Sequence, residues 1–283
     1  MNILTFDIED WWVYDHYSIG KKEDYIPRLN TYLYQILDIL EEKDILATFF
    51  CLGEVALHYP SIIKDIADRG HDIGCHSFGH RFFEDATPKE FSDDTYKALD
   101  IIQNVIGKKV LSYRAPAFSI TEKNNWAFEV LIENGIENDC SIFPAKRDFG
   151  GYPTFNQKGP SLINYKGNFI KEFPISVSSI FGKEIVYSGG GYFRLFPYSF
   201  IKSIMNKSDY VMTYFHIKDF DKEQKRIYSS FNGASAPIRY FKDYYRLEGN
   251  YSKFQKLISD FNFINVAQAA KQVNWNKVPV VLV

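Results

Sequence analysis

In HSFGH, residues 76–80, His76 and His80 stand four positions apart, a spacing at which one helical turn or a compact loop aims two imidazoles at one metal ion. Two such nitrogens and a distant carboxylate leave coordination positions open for water and substrate, as hydrolytic metal centres require. The spacing is common in ordinary helices, so it gains weight only from its company; His58 and His71 read as surface or packing histidines. The company begins with Asp7, Glu9 and Asp10 in FDIEDW, residues 6–11. Carboxylates crowded this closely repel one another and need a cation nearby or a raised pKa, unless they are simply solvated loop acids. Trp11 and Trp12 can stack on a sugar ring or close the end of a barrel. In YRAPAF, residues 113–118, Pro116 restricts Ala115 to an extended backbone, and Arg114, if buried, can hold a catalytic carboxylate. His216, closing YVMTYFHI, is a candidate general acid.

Residues so far apart need elements that bring them together. Ile3–Phe6 reads as a strand, followed by a helix with Leu29, Leu33, Ile36, Leu37 and Leu40 on one face. Ile45–Leu52 reads as a strand, Ser61–Arg69 as a helix stopped by Gly70, and His71–His76 as a short strand. Thr87, Pro88 and Glu90 open a third helix that ends near Gly107. Val110–Tyr113, Asn125–Glu133 and Ile136–Cys140 continue as strand, helix and strand. Phe143–Gly167 reads as a long loop. Beyond it, Phe169–Val177 and Tyr210–His216 are expected strands, Phe254–Ser259 a helix and Phe263–Val266 a strand. Repeated βα units imply a parallel sheet, closed into a barrel or open and doubly wound, and such sheets gather catalytic groups at the carboxyl ends of their strands. Asp7, Asp10, His76, His80, Arg114 and His216 all fall at or just past expected strand ends.

A chain of 283 residues can bury one large core, and no repeat or linker divides it. Lys+Arg 33 against Asp+Glu 35 gives no basic footprint for nucleic acid or for an anionic membrane. No apolar run approaches the roughly 18 residues needed to span a bilayer. The start MNILTFDIEDWW lacks the pattern of a signal peptide, and Cys51, Cys75 and Cys140 are too few and too irregular for a disulfide framework. A cytoplasmic location is expected. Aromatic residues at 17% suit a sugar groove but equally an AT-rich genome, and decide little.

Taken in order, FDIED, HSFGH, RAPAF, NDCSIFP and YFH resemble the motifs of the polysaccharide deacetylase family, the NodB homology group also termed carbohydrate esterase family 4. RGHDIGCHSFGH is especially similar to the family's second motif. KEFPIS (171–176), GGGYFRLFPY (189–198) and FHIKDFDKEQKRI (215–227) resemble the subgroup associated with exopolysaccharide and exosortase systems. The resemblance implies an α/β fold, a distorted (β/α)7-type barrel, as one domain over 1–283 with a family-specific C-terminal extension from about 220. It implies one divalent metal ion, commonly Zn2+, and removal of N-acetyl groups from an amino-sugar glycan. By the same resemblance Asp7 is the base, His76 and His80 are metal ligands, Arg114 orients the base and His216 protonates the leaving amine. Trp11, Ala117 and Tyr192 are expected to meet the substrate, Ala117 through its backbone N–H at the oxyanion.

Two departures from the family pattern matter. Ile8 stands where most members carry a second aspartate as metal ligand, which shifts that role to Asp10, the preferred choice, or to Glu9. The subgroup's H-P-W-E after the last histidine is H-I-K-D here, residues 216–219. Competing readings are a glycoside hydrolase, a deacylase of a small amide or nucleotide-linked sugar, and a glycan-binding protein without turnover. A glycoside hydrolase would place its two carboxylates on opposite sides of the scissile bond, unlike three acids within four residues. The apolar tail 278–283 can pack internally or against a partner, so oligomeric state is open.

Overall fold

The computed structural model describes residues 1–9, 26–147, 150–180, 182–224, 237, 240, 241 and 244–283. Its main sheet has nine strands: β2 (Thr5–Ile8), β3 (Thr48–Cys51), β4 (Asp72–Cys75), β5 (Ser112–Tyr113), β6 (Asn138–Asp139), β7 (Ser161–Tyr165), β8 (Asn168–Glu172), β12 (Phe215–His216) and β13 (Val280–Leu282). Outside it, β1 (Asn2–Ile3) pairs with β11 (Val211–Met212), and β9 (Val177–Ile180) forms a hairpin with β10 (Lys183–Val186).

The order in the main sheet is β12-β2-β3-β4-β5-β6-β8-β7-β13, and every pairing from β12 through β8 is parallel. These strands are short and mostly buried, as in parallel sheets covered by helices, and they carry buried polar residues such as Thr5, Asp7, Ser112, Asn138 and Asp139. The parallel array is the (β/α) core that the sequence implies, and it remains open. Its seam is bridged by side chains instead of a ladder: Met212 N–H donates to Ser176 Oγ at 2.7 Å and the Tyr210 hydroxyl to the Pro174 carbonyl at 2.8 Å.

Helices form where periodicity and caps agree. Ile26–Glu42 buries Leu29, Leu33, Ile36, Leu37 and Leu40 against the sheet. Pro88–Ile106 opens with the expected reciprocal cap, Thr87 N–H to Glu90 Oε2 at 2.8 Å and Glu90 N–H to Thr87 Oγ1 at 3.3 Å, and ends on Gly107 at φ 69°. Phe6 lies stacked on Phe49 at 4.9 Å and edge-on to Phe254 at 5.9 Å, so the late helix Asn250–Asp260 packs onto β2.

Several expected elements come out differently. The stretch expected as a loop to Gly167 turns into β7 at Ser161, because the alternating SLINY pairs antiparallel with β8 and accepts β13 on its other edge. The apolar tail is therefore used internally. The expected strand Phe169–Val177 breaks at Glu172, and Val177 opens the β9–β10 hairpin. Tyr210–His216 splits around Thr213, whose Oγ1 accepts from Thr5 N–H at 3.1 Å in place of a regular ladder. Phe263–Val266 contributes only a bridge at Ile264, and Asn265 then caps a helix, Val266–Gln272. Three further short α-helices among the described residues lie outside the expected elements: Gly53–His58, Gly190–Leu195 and Tyr198–Met205. Cys51, Cys75 and Cys140 are all buried free thiols, and no helix among the described residues is long and apolar enough to cross a membrane.

Candidate metal and catalytic centre

Sheet register assembles the site. Asp7 on β2 lies level with His216 on β12, and Cys75 on β4 lies level with Tyr113 on β5. His76 and Arg114, the next residues on those strands, are thereby neighbours across the sheet. Glu9 follows β2 directly. Asp7, Glu9, His76, His80 and Arg114 are all buried, and His216, with 20% of its side chain exposed, is the most open of the group.

HSFGH folds as a compact loop in which Ser77 (φ 69°) and His80 (φ 61°) adopt the left-handed backbone that non-glycine residues seldom take. His80 N–H donates to Ser77 Oγ at 3.1 Å, and the Ser77 carbonyl accepts from Gly53 N–H at 2.9 Å, which ties the loop to the neighbouring helix. The turn brings His80 Nε2 to 2.5 Å and His76 Nε2 to 3.6 Å from Glu9 Oε2. His76 Nδ1 lies 2.7 Å from the Arg114 carbonyl. This backbone partner fixes both the ring's tautomer and its orientation, as at metal-binding histidines generally.

Glu9, His76 and His80 thus offer ligand atoms all within 4.8 Å of one another. Two imidazole nitrogens and one carboxylate oxygen, buried and already oriented, suit a divalent cation. Burial would raise the Glu9 pKa, but the charges and hydrogen bonds of His80, His216 and His76 hold it well below the usual carboxylate range. The preferred third ligand, Asp10, lies outside the described residues, as does Trp11. Among the described residues the carboxylate that reaches the histidines is Glu9.

Beside this group, Arg114 Nη1 donates to Asp7 Oδ1 at 2.7 Å and to Thr5 Oγ1 at 2.8 Å, with its guanidinium 4.2 Å above the Phe50 ring. His216 Nε2 faces Glu9 Oε1 at 3.4 Å and Asp7 Oδ2 at 3.8 Å. Burial alone would depress the His216 pKa; the carboxylates of Glu9, Asp219 and Asp7 outweigh it and push the value up to about 9. Ala117 sits in the short 3-10 turn after β5 at φ 53°, held by Arg147 Nη1 on its carbonyl at 3.0 Å. Tyr192, on the helix Gly190–Leu195, is half-buried against the group of rings that includes Tyr214 and Phe118.

Three further residues, to which the sequence attaches no site role, reach the site. Asp219 Oδ2 accepts from His216 N–H at 2.9 Å and faces His216 Nδ1 at 3.3 Å. Arg194 pairs with the other oxygen of Asp219, and Lys218 Nζ stands 3.6 Å from Glu9 Oε1. The signal for Asp219 was present as an acid three residues past His216, the spacing of a reciprocal cap. Arg194 lies in the GGGYFRLFPY motif, to which the resemblance attaches no role, and only the fold brings the Gly190–Leu195 helix to this place.

Residues 3–133 match the family model described as polysaccharide deacetylase, and residues 140–271 match that of a domain of unknown function (DUF3473). A Bacillus cereus peptidoglycan-N-acetylglucosamine deacetylase is 35% identical over 96 residues, 34% of this chain and 35% of that protein. An Azorhizobium caulinodans chitooligosaccharide deacetylase is 35% identical over 82 residues, 29% of this chain and 39% of that protein. The chain therefore spans little more than a third of the length of these curated relatives. Among solved structures, a Mycobacterium smegmatis protein described as a candidate polysaccharide deacetylase superposes with a TM-score of 0.61 at 17% identity, covering 99% of this chain and 92% of that one. A 4-alpha-glucanotransferase from Thermococcus litoralis reaches 0.57 at 13% identity, covering 100% of this chain and 42% of that one. At such identities the structural likeness shows the fold alone, and one fold carries many chemistries.

Proposed function

We propose that this chain, whose residues 3–133 belong to the polysaccharide deacetylase family, is a metal-dependent hydrolase that removes N-acetyl groups from an amino-sugar glycan or its precursor. The observation that carries the reading is the convergence of two unlike sets of groups at the strand ends. One is the Glu9–His76–His80 donor set, and the other is an Asp7–Arg114 pair facing His216.

Glu9, His76 and His80 would hold the cation, which when bound supplies Lewis acidity to water and to the acyl carbonyl. The chain's own groups do the rest. Asp7, oriented by Arg114 on Oδ1, keeps Oδ2 toward the site and takes a proton from the attacking water. The Ala117 backbone N–H is the donor proposed for the developing oxyanion. His216, backed by Asp219 at Nδ1 and with Nε2 turned toward Asp7, gives its proton to the departing amine. Trp11 and Tyr192 are proposed sugar contacts, and zinc is the proposed metal.

Acetate release from chitooligosaccharides and from peptidoglycan fragments tests this reading. Turnover that a chelator abolishes and added Zn2+ restores is the expected result; binding of glycan with no acetate released under any metal would overturn it. Activity confined to nucleotide-linked amino sugars would retain the chemistry and move the substrate to the precursor.

A further inference from the structure

Behind His216 stands a second layer of buried polar groups that the reaction scheme leaves unused. Arg194 and Asp219 are each 3% exposed, and their side chains form an ion pair. The two oxygens of the Asp219 carboxylate face opposite ways. Oδ1 takes Arg194 Nη1, while Oδ2 takes the His216 backbone N–H at 2.9 Å and faces His216 Nδ1 at 3.3 Å. His216 Nε2 is left to face Asp7 and Glu9. Without Arg194, Oδ1 would lose the charge that opposes it among the described residues, and the carboxylate would be held on the Oδ2 side alone.

The surroundings hold the backbone that carries Arg194 from both ends. Gly189 lies so near the Tyr214 carbonyl that a Cβ there would stand 1.8 Å from its oxygen, and Gly190 adopts φ 52° while donating its N–H to the same carbonyl at 2.9 Å. The helix Gly190–Leu195 is thereby docked two residues before His216. At its far end Lys253 Nζ donates to the carbonyls of Phe193, Arg194 and Phe196 at 2.9, 3.1 and 2.8 Å. Asn250 Nδ2 holds the Asp219 carbonyl at 2.9 Å from the other side.

We infer that Arg194 is a positioning residue for His216, acting through Asp219 to set the imidazole with Nδ1 toward the carboxylate and Nε2 toward the reacting groups. Its kinetic consequence rests on the deacetylase reading; the geometric claim does not. A double-mutant cycle separates the two. R194M should lower kcat by about tenfold or more with KM within about twofold, and R194K should recover part of the loss. In a D219N background, R194M should cost less than about twofold further, because its route to His216 through Asp219 is already cut. R194M/D219N also removes both buried charges at once, so the comparison with D219N stands even if R194M alone folds poorly. Equal losses in both backgrounds, or an unchanged kcat in folded R194M, would overturn the inference. A readout that needs no turnover is the low-field proton resonance of His216 Nδ1–H, assigned by its loss in H216Q. It should be present in the wild type and R194K and lost in R194M and D219N; persistence in R194M would overturn the inference. A wild type that releases no acetate but shows this resonance pattern would refute the deacetylase reading and support the role of Arg194.

Discussion

His76 Nδ1 lies 2.7 Å from the main-chain oxygen of Arg114, and since a carbonyl can only accept, that nitrogen is the donor and Nε2 is the one turned toward Glu9, 3.6 Å away. The same arginine's side chain holds Asp7. One residue thus fixes a proposed metal ligand through its backbone and the proposed base through its guanidinium. It can do both because β4 and β5 run in register up to Cys75 and Tyr113.

If Glu9 completes the donor set, E9Q should weaken Zn2+ binding at least about tenfold, and His76→Ala or His80→Ala should abolish stoichiometric binding. Competition against a chelating dye measures this directly. D10N should bind nearly as the wild type does. The reverse pattern, with D10N losing metal and E9Q keeping it, would assign the ligand to Asp10. In the wild type, Zn2+ at 100 times its Kd should add about 2.7 kcal/mol to the unfolding free energy, which a chelator removes.

Asp7 and Arg114 are both buried, and breaking such a pair leaves an uncompensated charge. R114M should cost about 3–5 kcal/mol in urea unfolding, and R114M/D7N should recover part of it. D7N leaves the Arg114 charge unopposed and should also lose stability, and the folded D7N protein should show kcat lower by about 10²-fold or more. Turnover near wild type in folded D7N would remove Asp7 from the role of base.

Gly189 should tolerate no side chain, because a Cβ would meet the Tyr214 carbonyl oxygen at 1.8 Å, backbone against backbone. G189A should destabilise by about 1–3 kcal/mol or more. Gly159, where an added Cβ would meet nothing within 4 Å, is the control, and G159A should stay within about 0.5 kcal/mol of wild type. Equal effects of the two substitutions in thermal melts would argue against the docking described for the Gly190–Leu195 helix.

His71 should make the protein acid-sensitive. Burial, with Arg69 nearby, pulls its pKa down from 6.5 to about 4, and Ala47 N–H donates to its Nδ1 at 3.3 Å, so the folded state prefers the neutral ring. The unfolded chain takes up a proton first as pH falls. Stability is therefore complete above about pH 6.5 and is lost as pH drops through about 4. At about 1.4 kcal/mol per pH unit the full loss is about 3 kcal/mol. Urea melts at pH 7 and pH 4.5 should show the wild type losing about 2 kcal/mol more than H71Q; parallel losses would clear His71 of the effect.

Much of this was legible where local chemistry and tertiary environment ask for the same thing. The Thr87–Glu90 cap, the buried face of Ile26–Glu42 and the extended Ala115 ahead of Pro116 all formed as local rules predict. The strand SLINY was hidden inside a glycine- and proline-rich stretch, because its pairing partners, β8 and the chain's last residues, are supplied from elsewhere. The Gly190–Leu195 helix was hidden for a similar reason. It is too short to hold itself together in isolation and depends on Gly189 fitting under Tyr214 and on Lys253 capping its carbonyls.

The sequence by itself determined which residues are candidates for the chemistry and that they fall at or just past expected strand ends, because hydrophobic period is written locally. Only the tertiary structure decided which atoms meet. Glu9 reaches His76 and His80 because the loop 76–80 turns back through left-handed backbone at Ser77 and His80, and no spacing rule anticipates that turn. Asp219 and Arg194 join His216 because a carboxylate buried beside an imidazole needs a fixed opposing charge, and that charge comes from a helix docked across the barrel end.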